Sequence, residues 1–198
     1  NMYEMDADIL TLSAHKIGAL SGTGAIVARQ GIEIEPLIIG GPQEGKLRGG
    51  TENVLGIAVF GAVARMITEE LSDRVDAMLR LRDSFEELAK NTISGAEINS
   101  ATTSRLPNTS SVYIPGVRAD DLIVAMDLER ILISSGAACS SGKPEPSHVL
   151  LAMGQDEERV RSTIRVSFRA DMPEAEVPRV VQALSGAVTR MRRVAPKR

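Results

Sequence analysis

Two residues in this chain stand where a side chain could do covalent chemistry. Cys139, the only cysteine, lies in Ser134-Ser135-Gly136-Ala137-Ala138-Cys139-Ser140-Ser141-Gly142-Lys143-Pro144. That segment is too poor in apolar residues to bury a lone thiol as an inert core residue, and its Gly, Ser and Pro content favours a bending loop. A thiol carried there can act as a nucleophile, or it can simply face solvent. Lys16 follows a compact apolar run, Asp8-Ile9-Leu10-Thr11-Leu12, and enters a turn rich in glycine, Ile17-Gly18-Ala19-Leu20-Ser21-Gly22-Thr23-Gly24. An amine held in a tight, partly desolvated turn can form a Schiff base with a carbonyl group. Ser13 and His15 beside it offer hydrogen bonds to a phosphate; a lone histidine such as His15 is more often a satisfied turn residue than a ligand. A third stretch, Gly40-Gly41-Pro42-Gln43-Glu44-Gly45-Lys46-Leu47-Arg48-Gly49-Gly50-Thr51-Glu52-Asn53, ends at a helix start. Free backbone N–H groups and a hydroxyl suit anion binding there, although the spacing is neither a Walker loop nor a dinucleotide fingerprint.

The elements that must position these residues follow from periodicity. Residues 8–12 read as a buried strand, and 25–29 and 35–39 as two further short strands. Residues 53–70 are apolar almost all round and read as a deeply buried helix. Ser72 and Asp73 can cap a second helix running to Lys90, with Val75, Met78, Leu79, Phe85 and Leu88 as its core stripe. Residues 108–114 and 131–134 read as strands, 120–128 as an amphipathic helix, and Ser147 as the cap of a short helix to Met153. Thr163-Ile164-Arg165-Val166-Ser167-Phe168 alternates cleanly, a half-buried strand with Arg165 and Ser167 on one face. Asp171, Pro173 and Glu174 form a helix start. The helix they open ends in Arg190, Arg192 and Arg193, with Lys197 beyond, a complement to its dipole or a docking surface.

Composition narrows the class. The 198 residues are 43% hydrophobic and 25% charged, as in a globular protein, with only 3% aromatic residues, so Leu, Ile, Val, Met and Ala must build the core. A net charge of −3 argues against nucleic acid as the main partner. One cysteine makes no internal disulfide, which favours a reducing compartment. The first residues carry acids and no apolar leader, and residues 54–64 are too short to span a bilayer. Two distant histidines and one cysteine make no zinc site. A cytoplasmic protein is expected, without membrane or nucleic-acid partners.

Ser13-Ala14-His15-Lys16, Gly40-Gly41-Pro42-Gln43-Glu44 through Arg48 and Thr51-Glu52-Asn53, Ser135-Gly136-Ala137-Ala138-Cys139, and Ile164-Arg165-Val166-Ser167 stand in the order found in cysteine desulfurases. Across nearly its whole length the chain resembles these pyridoxal-phosphate enzymes of the class V aminotransferase family, and the stretch 145–150 resembles the NifS and IscS branch. The resemblance implies an α/β chain with the type I fold of pyridoxal-phosphate transferases. Residues 1–65 would form a truncated part of the large domain with its mainly parallel sheet. Residues 66–198 would form an α+β small domain carrying the cysteine loop. It implies that Lys16 carries the cofactor and moves protons at the substrate α-carbon, and that Ser13 and His15 hold the phosphate. Thr51 would reach the phosphate of the neighbouring subunit of a homodimer. Arg165 would bind the carboxylate of L-cysteine. Cys139 would take the sulfur as a persulfide, leaving alanine, and pass it to an acceptor or scaffold protein, with iron–sulfur cluster assembly the usual destination. Lys143 and His148 are local candidates for activating the thiol. Relative to the family pattern, Ala19-Leu20 replace Gly-Pro, Pro42 and Arg169 each replace a glycine, and the first half of the large domain precedes the point where this chain enters the pattern. Two alternatives accompany this reading: a selenocysteine lyase or class V aminotransferase of the same fold, and a non-catalytic truncated interaction module.

Overall fold

A computed structural model describes residues 2–135 and 146–194. Cys139 and Lys143 lie outside the described residues, as does Lys197. The chain divides into two compact units, Asn1–Leu71 and Ser72–Arg198.

The first unit is built on strands β1 (Ile9–Ser13) and β2 (Gly24–Ala28), paired from Ile9↔Ala28 to Ser13↔Gly24. The pairing is antiparallel, and as one pair of a truncated sheet it is consistent with the α/β fold that the resemblance implies. The connection explains the direction of this pair: the short link between β1 and β2 suffices to reverse the chain and is too short for a parallel crossover. Residues 35–39 form no strand. Leu37 and Ile39 are 96% and 86% exposed, and no described strand is present to take their ladder bonds. Among the described residues the unit buries only small ones, Ala14, Gly49 and Gly56. The expectation of a buried first strand and a deeply buried helix at 53–70 therefore does not hold here. Ile9, Leu12, Val54 and Leu55 are exposed, because an apolar pattern buries only against a second apolar surface.

Helix α1 runs unbroken from Val54 to Thr92, where two helices were expected. Ser72 and Asp73 are weak helix formers, but neither is a glycine or proline, and flanking Leu, Glu and Arg residues carry the helix through them. Its later turns supply Leu81, Phe85, Ala89 and Ile93 to the core of the second unit.

That unit is an α+β layer. Strands β3 (Glu97–Ile98), β4 (Thr109–Tyr113), β5 (Ser134–Ser135) and β6 (Thr163–Ser167) form one antiparallel sheet in the order β3-β4-β6-β5. Alternation gives it two faces. Val112, Ile114, Ile164 and Val166 are buried in one core with Leu122 and Met126 of helix α2 (Ala119–Leu128) and Val177, Val181 and Leu184 of helix α5 (Glu176–Val194). Phe85 and Phe168 meet there with ring centroids 5.4 Å apart at 57°. Helix α3 (His148–Ala152) starts as expected at Ser147, whose hydroxyl accepts from Leu150 N–H at 3.4 Å. Helix α4 (Glu157–Arg161), not foreseen, is capped by Asp156, which accepts from Arg159 N–H at 2.8 Å.

The helix start expected at Asp171 lies five residues later. Asp171 instead accepts two bonds from the Arg169 guanidinium, at 3.0 and 2.6 Å. At the far end Arg192 spends its donors on the carbonyls of Pro115 and Ser94 rather than on its own helix terminus. No helix among the described residues is long and apolar enough to cross a membrane.

Candidate active site

The lysine turn is local in origin. Ala14–Ile17 form a single 3-10 turn that continues directly from β1, and Gly18 at φ 88° ends it. That left-handed value is one a side chain would resist. Ala14 is fully buried beneath the turn and donates to the carbonyl of Thr23 at 3.0 Å. Ser13, His15 and Lys16 stand within four residues, all exposed. Among the described residues none of the three makes an ion pair or side-chain hydrogen bond. The expected partial desolvation of Lys16 is thus absent from the described residues of this unit, since nothing among them covers its amine.

The glycine-dense loop closes on itself. Gly49 N–H donates to Ile38 C=O at 2.8 Å, and a Cβ at Gly49 would lie 2.7 Å from Gly40 Cα. The two glycines let the strands of the loop neck touch. Gly50, at φ 100°, turns the chain out of the neck, and Thr51 follows it, exposed. Asn53 caps α1: its Oδ1 accepts from Gly56 N–H at 3.1 Å and its carbonyl from Ile57 N–H at 2.9 Å. Its Nδ2 donates to Thr23 Oγ1 at 3.3 Å, which joins the start of α1 to the end of the lysine turn. Sequence reasoning did not find this contact, although an Asn directly before an apolar run was the signal for the cap.

Arg165 belongs to the second unit, at the middle of β6. Its cross-strand partners are Ser111 on β4 and Ser134 on β5, so the three share the polar face of the sheet. The Arg165 Nε is buried and has no hydrogen-bond partner among the described residues. Two other arginines of the unit, Arg105 and Arg159, are paired. Arg105 holds Glu86 through two bonds of 2.7 and 3.0 Å, and that carboxylate raises the Arg105 pKa further above its ordinary value. Arg159 pairs with Glu97 at 2.8 Å, bonds Asn99, and lies over the Tyr113 ring at 4.2 Å. Among the described residues the half-buried Arg165 guanidinium has no counter-ion, and such a group can receive an anion, its fork matching a carboxylate. His148, proposed beside the thiol, is exposed in the first turn of α3. Among the described residues no cluster of His, Cys, Asp and Glu could hold a metal ion.

The donor set on the lysine turn fits a group that brings both an aldehyde and a phosphate. Among the described residues an exposed amine without an ion pair stands beside a hydroxyl and an imidazole that make no side-chain hydrogen bond, and no carboxylate pairs with the lysine. The comparisons agree with that class. The family model described as aminotransferase class-V matches residues 1–180. The chain belongs to the aminotransferase class-V family, whose members use pyridoxal phosphate. It is 38% identical over 196 residues to a cysteine desulfurase of Trichormus azollae, covering 99% of this chain and 49% of that protein. It is 33% identical over 196 residues to the cysteine desulfurase IscS of Dictyoglomus turgidum, covering 99% of this chain and 50% of the relative. Among solved structures, a NifS-like protein superposes with a TM-score of 0.84 at 32% identity, over 96% of this chain and 48% of its own. A NifS-like protein from Rickettsia africae ESF-5 does so at 0.81 and 34%, over 98% and 50%. The chain spans about half the length of the curated relatives it matches. Its fold is that part of the NifS-like architecture which these structures share with it.

Proposed function

We propose that this chain is part of a cysteine desulfurase that converts L-cysteine to L-alanine and carries the sulfur as a persulfide on Cys139. The single observation that carries the reading is the exposed Lys16 amine, unpaired among the described residues, beside Ser13 and His15 on a chain of the class-V family. In this reading residues 1–65 belong to the cofactor-binding domain and residues 66–198 to a small domain.

Pyridoxal phosphate, when bound, supplies an electron sink for the substrate α-carbon. The residues of this chain would supply the following roles. Ser13 and His15 hold the phosphate, and Thr51 reaches that of a second copy in a homodimer. Lys16 binds the cofactor and then moves the proton at the α-carbon, a task its exposed position leaves it free to do. Arg165 grips the substrate carboxylate through its fork and fixes which bond at the α-carbon faces the lysine. Cys139, as thiolate, attacks the substrate sulfur. A sulfur–sulfur bond forms, the carbon–sulfur bond breaks, and its electron pair stays on the substrate carbon, which is protonated to give alanine. The loop then delivers the outer sulfur to an acceptor or scaffold protein for iron–sulfur assembly, in the cytoplasm.

The sparse core of the first unit favours one further reading, in which this chain by itself is a non-catalytic interaction module. A titration decides between them. Pyridoxal phosphate added to the purified chain is expected to give a visible absorbance band that Lys16→Ala removes. A folded chain that gives no such band at saturating cofactor supports the module. Comparing products from L-cysteine and L-selenocysteine then separates a desulfurase from a selenocysteine lyase, and a class V aminotransferase would turn over with Cys139→Ser unchanged.

A further inference from the structure

The turn that presents Lys16 has little of its own to hold it. It joins the ends of a two-stranded ribbon, and such a ribbon alone is marginal in water. The loop after it contains two glycines at positive φ, Gly18 and Gly22. What fixes the far end of this loop is Thr23. Its carbonyl accepts from Ala14 N–H at 3.0 Å, inside the lysine turn, and its hydroxyl accepts from Asn53 Nδ2 at 3.3 Å. The Asn53 amide has one orientation available. Its Oδ1 takes Gly56 N–H at 3.1 Å, which leaves the NH2 end facing Thr23. Gly56 is part of the same device. A Cβ there would collide with Thr23 Oγ1 and come within 2.6 Å of Asn53 Nδ2, so the first turn of α1 can close on Thr23 only with glycine at this position.

We propose that Thr23 and Asn53 are positioning residues for Lys16. They clasp the lysine turn to the first turn of a 39-residue helix, so the direction of the Lys16 amine is set by α1 and not by the ribbon alone. The inference rests on the reading that Lys16 carries the cofactor. The clasp links three stretches that sequence reasoning treated separately: the lysine turn, the glycine loop ending in Thr51-Glu52-Asn53, and the apolar helix. It also gives Thr23 and Asn53 roles that differ from binding, since neither needs to touch cofactor or substrate.

The test uses Thr23→Val, which keeps the shape and removes the acceptor, Thr23→Ser, which keeps the hydroxyl, and Asn53→Ser, which retains a helix cap too short to reach Thr23. Two quantities are read: hydrogen exchange of the Ala14, Gly18 and Ala19 amides in the cofactor-free chain, and the dissociation constant for pyridoxal phosphate. Loss of one hydrogen bond of ordinary net strength predicts exchange about 3- to 10-fold faster in Thr23→Val and Asn53→Ser, with cofactor bound weaker by a similar factor. Thr23→Ser restores both. Unchanged exchange in Thr23→Val, or failure of Thr23→Ser to restore it, overturns the clasp. A wild-type chain that takes up no cofactor overturns the role of Lys16 instead, and the exchange rates then judge the clasp by themselves.

Discussion

Replacing Arg165 by Met should remove function without removing stability, and the structure sets the size of both effects. The Arg165 guanidinium lies half-buried at the centre of β6, with Nε buried and unpartnered among the described residues. A buried donor without a partner costs about 1–3 kcal/mol. Met keeps the length of the stem and removes the donor. The predicted change in unfolding free energy is therefore between zero and a gain of about 1 kcal/mol. Arg105 supplies the contrast. Its two bonds to Glu86 join side chains only 15% and 9% exposed, and Arg105→Met strands a buried carboxylate, at a cost of about 3–5 kcal/mol. In urea, with a slope of about 2 kcal/mol per molar, that is a shift of about 2 M in the midpoint, against no fall for Arg165→Met. Turnover inverts the order. Two charge-assisted bonds to a carboxylate, each about 1.5–3 kcal/mol, predict that kcat/KM for L-cysteine falls at least about 100-fold in Arg165→Met. Arg165→Met destabilised by more than about 2 kcal/mol, on the scale of Arg105, would show that Arg165 is a structural residue and refute its role as carboxylate receptor.

Three further outcomes follow from particular contacts. In Gly24→Ala the new methyl would lie 2.6 Å from the Leu12 carbonyl oxygen, at the strand end that carries Ser13; overpacking predicts a loss of about 1–3 kcal/mol in a thermal or urea melt, together with weaker cofactor uptake. The Arg169 guanidinium bonded to Asp171 holds that carboxyl below its ordinary value, so the pair's small stabilisation is present above the unfolded carboxylate pKa and fades as pH falls through the folded one; a carbon-detected NMR titration should find the Asp171 midpoint depressed, and Arg169→Gln should return it towards normal. Replacing Ser147 by Ala removes the α3 cap and should cost about 1 kcal/mol, with helix fraying seen as faster exchange at Leu150, while Ser147→Asp should keep most of it.

The second unit was largely legible because its signals are local and agree with one another. The alternation of 163–168, the cap at Ser147 and the amphipathic stretch at 120–128 each point to the element that forms. At Ser72-Asp73 the sequence offered a cap and the chain ignored it, because capping competes with continuing the helix and nothing there breaks the backbone hydrogen bonds. Asp171 failed as a cap for a different reason: Arg169, two residues away, offers a stronger partner than a backbone amide does. In the first unit the apolar stretches at 35–39 and 54–64 report a surface able to bury, which is a property of the side chains. Whether it does bury depends on what lies against it. Of the proposed site, the half-buried strand carrying Arg165 and the turn carrying Ser13, His15 and Lys16 could be read from the sequence, while the roles of these residues are proposals. The Thr23–Asn53 contact could not, because it joins residues thirty apart through a loop whose path no local pattern specifies.

The most direct test of the central claim is the mass of Cys139 after reaction. The chain is incubated with pyridoxal phosphate and L-cysteine, trapped with an alkylating agent and digested, and the peptide carrying Cys139 is weighed, with Lys16→Ala as control. The account predicts a peptide heavier by one sulfur atom, formed together with alanine in the wild type and absent in Lys16→Ala. Alanine formed with Cys139 unmodified, or added sulfur that persists in Lys16→Ala, would contradict it.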